Sequence, residues 1–327
     1  MHRCAQFDDK LAGIIVSLIA VVGSVLNCHT TFMVFIVGVT EYRQILQIFN
    51  RDMNGEVMEP DNIMTGYRRD GLIARLDILT PREAGQARDK LEAFIDTHGD
   101  DPRYGEWTYF KSHLALRWVA ELAAHPVLLD HVEALIGPDI LLWNSFIPAK
   151  PPASPAHFGW HQDATYWPIG PMENVVTFWL SLSHVSRANG GMRMIRGSHH
   201  RGQLAHQSSD DDSSMLRRSQ AVEERVDETH AIEINLRPGQ ASVHHPLTLH
   251  GSDGNPSEGW RYAIGFNFVG GAVGPNEDLR DSALLLRGEA KPDGFDLETM
   301  PDGDLSQQAL DNYQSAKDLG GSRYVKS

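Results

Sequence analysis

Two residues of metal-binding type lie two positions apart in the stretch "WHQDATYW", which covers residues 160–167. In an extended strand, side chains at positions i and i+2 point to the same face, so His161 and Asp163 can present an imidazole and a carboxylate to one point. The best candidate for a third ligand is His250, which ends the strand-like run "QASVHHPLTLH". Two imidazoles and one carboxylate on one face of an ion form the site of non-haem Fe(II) oxygenases, with further positions left open. The pattern therefore indicates a catalytic metal site.

The His-x-Asp pattern also arises by chance, and this chain has sixteen histidines. Most of them are expected on the surface or in hydrogen-bonded core positions, and seven are interpreted as non-ligating: His157, His184, His199, His200, His206, His244 and His245. Arg261 distinguishes the proposed triad, because it follows His250 in the next strand-like run, "WRYAIGFNFV". A guanidinium at that place can bind a carboxylate bidentately beside the metal.

Helical patterns come first in the part of the chain that has to position these residues. Thr80, Pro81 and Glu83 form a helix-start signature, and apolar residues at helical spacing predict an amphipathic helix over about residues 81–97. A second helical region is predicted over about residues 114–136, interrupted or restarted at Pro126 and ended by Gly137.

Short strand-like runs follow Pro138. They are rich in β-branched and aromatic residues and are separated by Gly, Pro and Asn clusters: "ILLWNSFIPAK", "NVVTFWLSLSHV", "MRMIRG", "HAIEINL", "QASVHHPLTLH" and "RYAIGFNFV". Helices followed by many short strands predict an α+β, mainly β protein, with a jelly-roll or closed β-sandwich core and helices packed outside it.

Composition and charge limit the classes of partner. The chain has 41% hydrophobic and 22% charged residues, as an ordinary globular protein does, and 327 residues can bury a full core. A formal net charge of -14 disfavours binding to nucleic acid or to anionic lipid, since both need clustered Lys and Arg. The two cysteines, Cys4 and Cys28, provide neither a disulfide framework nor a cysteine metal site. A reducing compartment, and hence the cytoplasm, is expected.

The first 57 residues read as a hydrophobic N-terminal extension, and residues 58–327 as the functional domain. Two apolar runs lie between residues 11 and 39, and the first overlaps in length with the apolar part of a signal peptide. Three interpretations remain open: a membrane anchor, an export signal, or translation that begins at an internal methionine such as Met53, Met58 or Met64.

Two further segments have open interpretations. The polar stretch from His206 to His230 lies between strand-like runs and is read as a solvated surface insertion, with an active-site lid as the alternative. Tyr166 and Trp167 follow Asp163 closely and are read either as a wall of the substrate pocket or as ordinary core aromatics.

From about Tyr67 to Val269 the chain resembles the phytanoyl-CoA dioxygenase family of Fe(II)- and 2-oxoglutarate-dependent oxygenases. The resemblance rests on "LAAHPVLLDHVEALIGPDILLW", "WHQDATYW", "VTFWLSLSHVSRANGGMRMIRGSHHRG" and "HHPLTLHGSDGNPS" followed by an arginine. It implies a double-stranded β-helix core of the jelly-roll, cupin-like kind. It also implies a site of seven residues: His161, Asp163 and His250 as iron ligands, Arg261 with Ser252 at the distal carboxylate of 2-oxoglutarate, and Trp179 and Lys111 as further cosubstrate contacts.

The resemblance implies a hydroxylase that uses Fe(II), 2-oxoglutarate and O2, acts on a small-molecule substrate, and forms succinate and CO2. Because Asp163 is present, hydroxylation is favoured over halogenation, since related halogenases lack this carboxylate. Two other classes remain open. One is a metal-dependent hydrolase in which the same three residues bind zinc and activate water. The other is a non-catalytic jelly-roll binding module that keeps the motif as scaffold.

Overall fold

The structure is a computed structural model that describes residues 60–216, 219–276, 279–291 and 294–319. The extension predicted over residues 1–57, with its apolar runs, lies outside the described residues. None of the helices in the described ranges combines the length and the apolar character needed to cross a membrane.

The described helices are α1 (Pro60–Asp70), α2 (Pro81–His98), α3 (Tyr104–Tyr109), α4 (Ser112–Ala115), α5 (Arg117–Ala123), α6 (Pro126–Ile136) and α7 (Gln307–Leu319). The described strands are β1 (Leu72–Asp77), β2 (Ile140–Phe146), β3 (Phe158–His161), β4 (Ile169–Gly170), β5 (Val175–Ser181), β6 (Arg193–Ile195), β7 (His206–Gln207), β8 (Ala221–Val222), β9 (Ala231–Glu233), β10 (Gln240–His244), β11 (His250–Ser252), β12 (Ala263–Gly270), β13 (Gly274–Pro275), β14 (Ser282–Arg287) and β15 (Asp296–Leu297).

A capping box sets the start of α2. The Thr80 hydroxyl accepts a hydrogen bond from the Glu83 backbone N–H at 3.3 Å, and the Glu83 carboxylate accepts one from the Thr80 N–H at 2.8 Å. Pro81 occupies the first turn, where a missing N–H leaves no hydrogen bond unmade. The face that packs inward consists of Ala84, Ala87, Leu91 and Phe94. The predicted helix is confirmed and ends one residue later than expected.

The second predicted helical region forms three helices, α4, α5 and α6. Leu116 separates the first two with extended backbone angles, φ −121° and ψ 104°. Pro126 begins α6, consistent with the preference of proline for the first helical turn. Gly137 follows α6 with φ +92°, a value that residues with a side chain rarely adopt, so the predicted end is confirmed.

The larger sheet has seven strands in the order β1-β10-β5-β12-β2-β14-β15. Its neighbouring strands are antiparallel, except for the parallel pair of β14 and β15. Every residue of β5, β10 and β12 is buried. Strands covered on both faces consist mostly of apolar residues, so any polar side chain among them must find a partner.

The smaller sheet has four strands in the order β3-β11-β6-β9. In the pairing of β11 with β3, His250 lies directly opposite His161. The register of this one antiparallel pair therefore brings together two histidines that are far apart in sequence.

The two large sheets share one apolar core. Leu72 and Trp179 from the larger sheet pack in the same cluster as Met192, Met194 and Ile234 from the region of the smaller one. The predicted mainly β jelly-roll core with N-terminal helices is confirmed. The structure adds β1, which precedes α2 and forms one edge of the larger sheet, and the C-terminal elements β14, β15 and α7.

Candidate metal and cosubstrate site

The three predicted metal ligands lie together. Asp163 follows β3 after one extended residue, Gln162, whose side chain points away and bonds to the carbonyls of Gly202 and Leu247. One Asp163 carboxylate oxygen lies 3.6 Å from His161 Nε2 and 3.6 Å from His250 Nε2. Among the described residues, these three are the group whose donor atoms, all within 4.8 Å of one another, could hold a metal ion.

Hydrogen bonds to the backbone orient both imidazoles. Nδ1 of His161 lies 2.8 Å from the carbonyl oxygen of Gly159, and Nδ1 of His250 lies 2.9 Å from that of Thr248. A carbonyl can only accept, so Nδ1 carries a hydrogen, and in a neutral ring the lone pair is then on Nε2, where a metal would bind. Burial, followed by the neighbouring His161, lowers the pKa of His250 well below its usual value. His250 is therefore neutral, as a metal ligand must be.

The second carboxylate oxygen of Asp163 is held from the other side. It accepts hydrogen bonds from the Thr177 hydroxyl at 3.0 Å and from His244 Nε2 at 3.1 Å. Burial raises the pKa of Asp163, but the neighbouring histidines His250, His161 and His244 together lower it well below its usual range. Asp163 is therefore an anion with one oxygen occupied and the other facing Nε2 of His161 and Nε2 of His250.

A row of polar residues across four strands supports this contact. His244, Thr177, Asn267 and Asn144 are successive cross-strand partners on β10, β5, β12 and β2. Asn144 donates to the Asn267 side-chain oxygen at 3.2 Å, and Asn267 donates to the Thr177 hydroxyl at 2.9 Å. The sequence patterns did not predict this row, and they indicated only that His244 is non-ligating. Polar residues within otherwise apolar strand-like runs were the feature of the sequence that could have indicated this row.

A cavity of about 740 Å³ adjoins the metal-site residues. Arg261, Ser252 and Trp179 line it, as the sequence predicted. Its walls include the aromatic side chains of Tyr109, Phe110, Phe146, Phe158, Tyr166 and Trp167. Tyr166 and Trp167 thus lie in the wall, as one of their two interpretations expected.

The polar insertion also reaches the cavity. β7 and β8 pair at its base, and residues 212–216 of the loop between them belong to the cavity lining. Backbone hydrogen bonds connect this loop to His157 at Ser213 and Met215. The Tyr166 hydroxyl donates to the Gln220 carbonyl at 3.0 Å. This placement favours the lid interpretation over that of a purely solvated loop.

Arg261 is a buried cation with unused donors. It is 1% exposed, and its Nε and Nη1 have no hydrogen-bond partner in the described ranges. Its guanidinium carbon lies 5.1 Å from the ring centroid of Trp179. Burial lowers the pKa of Arg261 to about 9, partly offset by Tyr109. A carboxylate bound in the cavity would satisfy these donors and compensate the buried charge.

Lys111 lies elsewhere. Its ammonium donates to the carbonyl oxygens of Trp143 at 2.6 Å and Ser282 at 2.7 Å and to the Glu298 carboxylate at 2.8 Å. It does not line the cavity. The structure therefore does not bring Lys111 to the predicted cosubstrate position. The buried lysine beside Ser252 is Lys150, which the sequence analysis did not select.

The donor set fits iron and a dicarboxylate cosubstrate. Two neutral imidazoles and one carboxylate are the ligands of non-haem Fe(II) oxygenases, and the orphaned nitrogens of Arg261 suit a carboxylate end group. Zinc accepts the same ligands, but a zinc-bound water gives no reason for an unpaired arginine in the cavity.

A family model described as "Phytanoyl-CoA dioxygenase" matches residues 67–263. Human peroxisomal phytanoyl-CoA dioxygenase is 27% identical over 147 residues, which cover 44% of this chain and 44% of that protein. A probable alpha-ketoglutarate-dependent hypophosphite dioxygenase from Stutzerimonas stutzeri is 30% identical over 146 residues, covering 44% of this chain and 50% of that protein. The matched regions thus span about half or less of these two curated relatives.

Solved structures match over a larger part of the chain. The structure titled "non-heme monooxygenase; ThoJ apo" has 32% sequence identity and a TM-score of 0.70, covering 80% of this chain and 97% of that one. CytC3, solved with Fe(II) and alpha-ketoglutarate, has 20% identity and a TM-score of 0.54, covering 75% of this chain and 98% of that one. At that identity the likeness to CytC3 concerns the fold alone.

Proposed function

Because the chain belongs to the phytanoyl-CoA dioxygenase family, we propose that it is an Fe(II)- and 2-oxoglutarate-dependent dioxygenase that hydroxylates an unactivated carbon of a small-molecule metabolite, with succinate and CO2 as co-products. One observation carries the proposal. The three side chains that could hold a metal ion and the unpaired donors of buried Arg261 line the same cavity. A metal site alone is compatible with many reactions. A metal site that shares its cavity with a group able to bind a carboxylate is compatible with a cosubstrate that contacts both.

His161, Asp163 and His250 would hold the iron. The carbonyls of Gly159 and Thr248 fix the imidazole tautomers, and the Thr177 hydroxyl keeps one Asp163 oxygen engaged. When bound with 2-oxoglutarate and O2, iron supplies the oxidising power for hydroxylation of an unactivated carbon. The protein's part would be to hold the ion with these three side chains, which line the cavity.

Arg261, Ser252 and Trp179 would hold the distal carboxylate of 2-oxoglutarate. The unpaired Arg261 nitrogens provide charge-assisted hydrogen bonds, and the indole of Trp179 packs beside the guanidinium. Lys111 is left out of this site, since three acceptors outside the cavity already satisfy its ammonium.

The aromatic wall would receive the substrate. A cavity of about 740 Å³ is within the usual size range of small-molecule sites and leaves room beyond a five-carbon cosubstrate. Its aromatic lining favours a substrate with an apolar body. Residues 212–216 of the insertion would close over that body from the side of His157.

The test is an anaerobic titration of Fe(II) and 2-oxoglutarate into the protein. We expect a weak visible charge-transfer band that is absent in His161→Ala and in His250→Ala. An unchanged band in both variants would reject the ligand assignment. Zinc-dependent hydrolysis without any response to 2-oxoglutarate would favour the hydrolase. Iron binding without substrate-stimulated succinate formation across a broad metabolite panel would favour the non-catalytic module.

A further inference from the structure

Lys150 is a fully buried lysine at the back of the cosubstrate region. Its exposed fraction is 0%, and its backbone forms a bridge with Arg261 through two hydrogen bonds of 2.9 and 3.0 Å. A buried ammonium is costly unless hydrogen bonds and charges compensate it. The neighbouring charge of Arg261 increases the free-energy cost of burying the Lys150 ammonium. The contacts made by Lys150 therefore call for an explanation.

The Lys150 ammonium has two hydrogen-bond acceptors. It donates to the Ser252 hydroxyl oxygen at 2.8 Å and to the Asp253 carbonyl oxygen. The ring of Phe158 lies 5.5 Å from Nζ. Both acceptors are neutral, and the Asp253 carboxylate bonds instead to Arg193 at 3.0 Å. Within the described residues, Lys150 therefore has no directly bonded carboxylate partner.

The contact with Lys150 determines what the Ser252 hydroxyl can do. A serine hydroxyl has one hydrogen to donate and an oxygen that can accept. Lys150 uses the oxygen as acceptor, and no residue in the described ranges accepts the Ser252 hydrogen. Ser252 lines the cavity, so its hydrogen is left for a ligand there.

The polar end of the cavity thus presents donors to its ligand. They are the Ser252 hydroxyl and the Nε and Nη1 groups of Arg261. Such a set accepts an anion and offers little to a neutral amide, which would bring a donor of its own. Burial, followed by the Arg261 charge, lowers the pKa of Lys150 to about 6, and Asp253 opposes this effect. A bound anion would compensate the charge of Arg261 and favour the protonated form of Lys150.

We propose that Lys150 is a positioning residue for the cosubstrate site: its ammonium occupies the Ser252 oxygen and thereby directs the Ser252 hydrogen toward the distal carboxylate of 2-oxoglutarate. The inference rests on the proposed function of this cavity. Lys150 itself does not line the cavity and acts through Ser252.

The test compares 2-oxoglutarate with 2-oxopentanoate, which has the same chain length and chelating end but no distal carboxylate. Dissociation constants are measured anaerobically with Fe(II) by calorimetry. We expect wild type to bind 2-oxoglutarate much more tightly than the analogue, and Lys150→Met to reduce that preference by about five-fold, as much as loss of the Ser252 hydroxyl itself. Binding of the analogue should be nearly equal in the two proteins. A wild type without any preference would reject the proposed function itself, whereas a preference that persists in Lys150→Met would reject the role of Lys150 alone.

A double-mutant cycle tests whether Lys150 acts through Ser252. In the Ser252→Ala background, Lys150→Met should change the affinity for 2-oxoglutarate less than two-fold, since the hydroxyl that it directs is gone. An undiminished effect of about five-fold in that background would mean that Lys150 acts on the anion directly, and the positioning role would be wrong. Lys111→Met is the matched control, because it removes an equally buried ammonium that faces away from the cavity. It should leave the preference intact.

A measurement on wild type remains informative if Lys150→Met does not fold. The groups that face Lys150 are Arg261 and Asp253, and the anion should raise the lowered pKa of Lys150 when it binds. Binding of 2-oxoglutarate at pH 7 should therefore take up a fraction of a proton more than binding of 2-oxopentanoate, as measured by calorimetry in buffers of different ionisation enthalpy. Equal proton uptake for both ligands would contradict the proposal.

Discussion

Two buried groups of charged residues differ in how their charges are compensated. In the first, which we call the Lys111 cluster, Lys111 and His113 share the carboxylate of Glu298, at 2.8 Å each, and the Lys111 ammonium lies 3.8 Å from the Asp281 carboxylate. In the second, the Arg261 pair, Arg261 and Lys150 lie side by side without a bonded carboxylate among the described residues. Full compensation inside the protein indicates a structural role, and missing compensation indicates that a ligand supplies the opposite charge.

The sharpest test of this comparison is Lys111→Met. Removing one partner of a buried pair leaves the Glu298 carboxylate largely uncompensated, which costs about 3 to 5 kcal/mol of the free energy of unfolding. Urea denaturation measures the loss. The double variant Lys111→Met with Glu298→Gln should recover part of it, because the orphaned charge is then removed. If Lys111→Met were as stable as wild type but had an altered affinity for 2-oxoglutarate, the Lys111 cluster would be a ligand-binding group and its structural role would be wrong.

Arg261→Ala should show the opposite behaviour. The variant leaves the distal carboxylate of 2-oxoglutarate unpaired in a buried site, which typically costs about 2 to 5 kcal/mol, or thirty-fold or more in affinity. Fe(II) binding should change little, since Arg261 is not among the proposed ligands. The measurement is a titration of 2-oxoglutarate into the anaerobic Fe(II) protein. Normal cosubstrate affinity with a lost response to the primary substrate would assign Arg261 to the substrate pocket instead.

Acid should weaken the Lys111 cluster. Burial raises the pKa of Glu298, but Lys111 and His113 together lower it to about 2 from an ordinary 4.5. A carboxyl group with a lowered pKa stabilises the fold above its ordinary pKa, and this stabilisation is lost as the pH falls toward the folded-state value. Between pH 6 and pH 3 the stability difference between wild type and Glu298→Gln should shrink by about 2 kcal/mol. Urea denaturation at several pH values measures it, and a constant difference would contradict the pairing.

Ser252→Ala should have the smallest effect. It removes one neutral hydroxyl from the donors beside Arg261, so the affinity for 2-oxoglutarate should fall by on the order of 1 kcal/mol, about five-fold. The free energy of unfolding should change little, because serine and alanine are similar in size. A loss as large as that in Arg261→Ala would mean that the hydroxyl, rather than the guanidinium, is the main anchor of the carboxylate.

The two lysines also show the limit of sequence reasoning. The resemblance pointed to Lys111, whereas the structure places Lys150 beside Ser252. The deciding contacts join residues 187 positions apart for Lys111 and Glu298, and 102 positions apart for Lys150 and Ser252. A lysine side chain looks the same in sequence whichever acceptor it meets, so its role depends on chain packing that no local pattern records.

Local chemistry by itself determined the helix start at Thr80, the helix end at Gly137 and the pairing of His161 with Asp163, whereas His250 joins them through the register of β3 with β11. The first three features depend on residue type and short spacing, which the sequence states directly. Tertiary structure alone decided that His244, Thr177, Asn267 and Asn144 form one row behind Asp163, since that row needs the registers of three strand pairs at once. It also decided which buried cation is left without a carboxylate, because charge compensation is a property of the assembled interior and not of any segment.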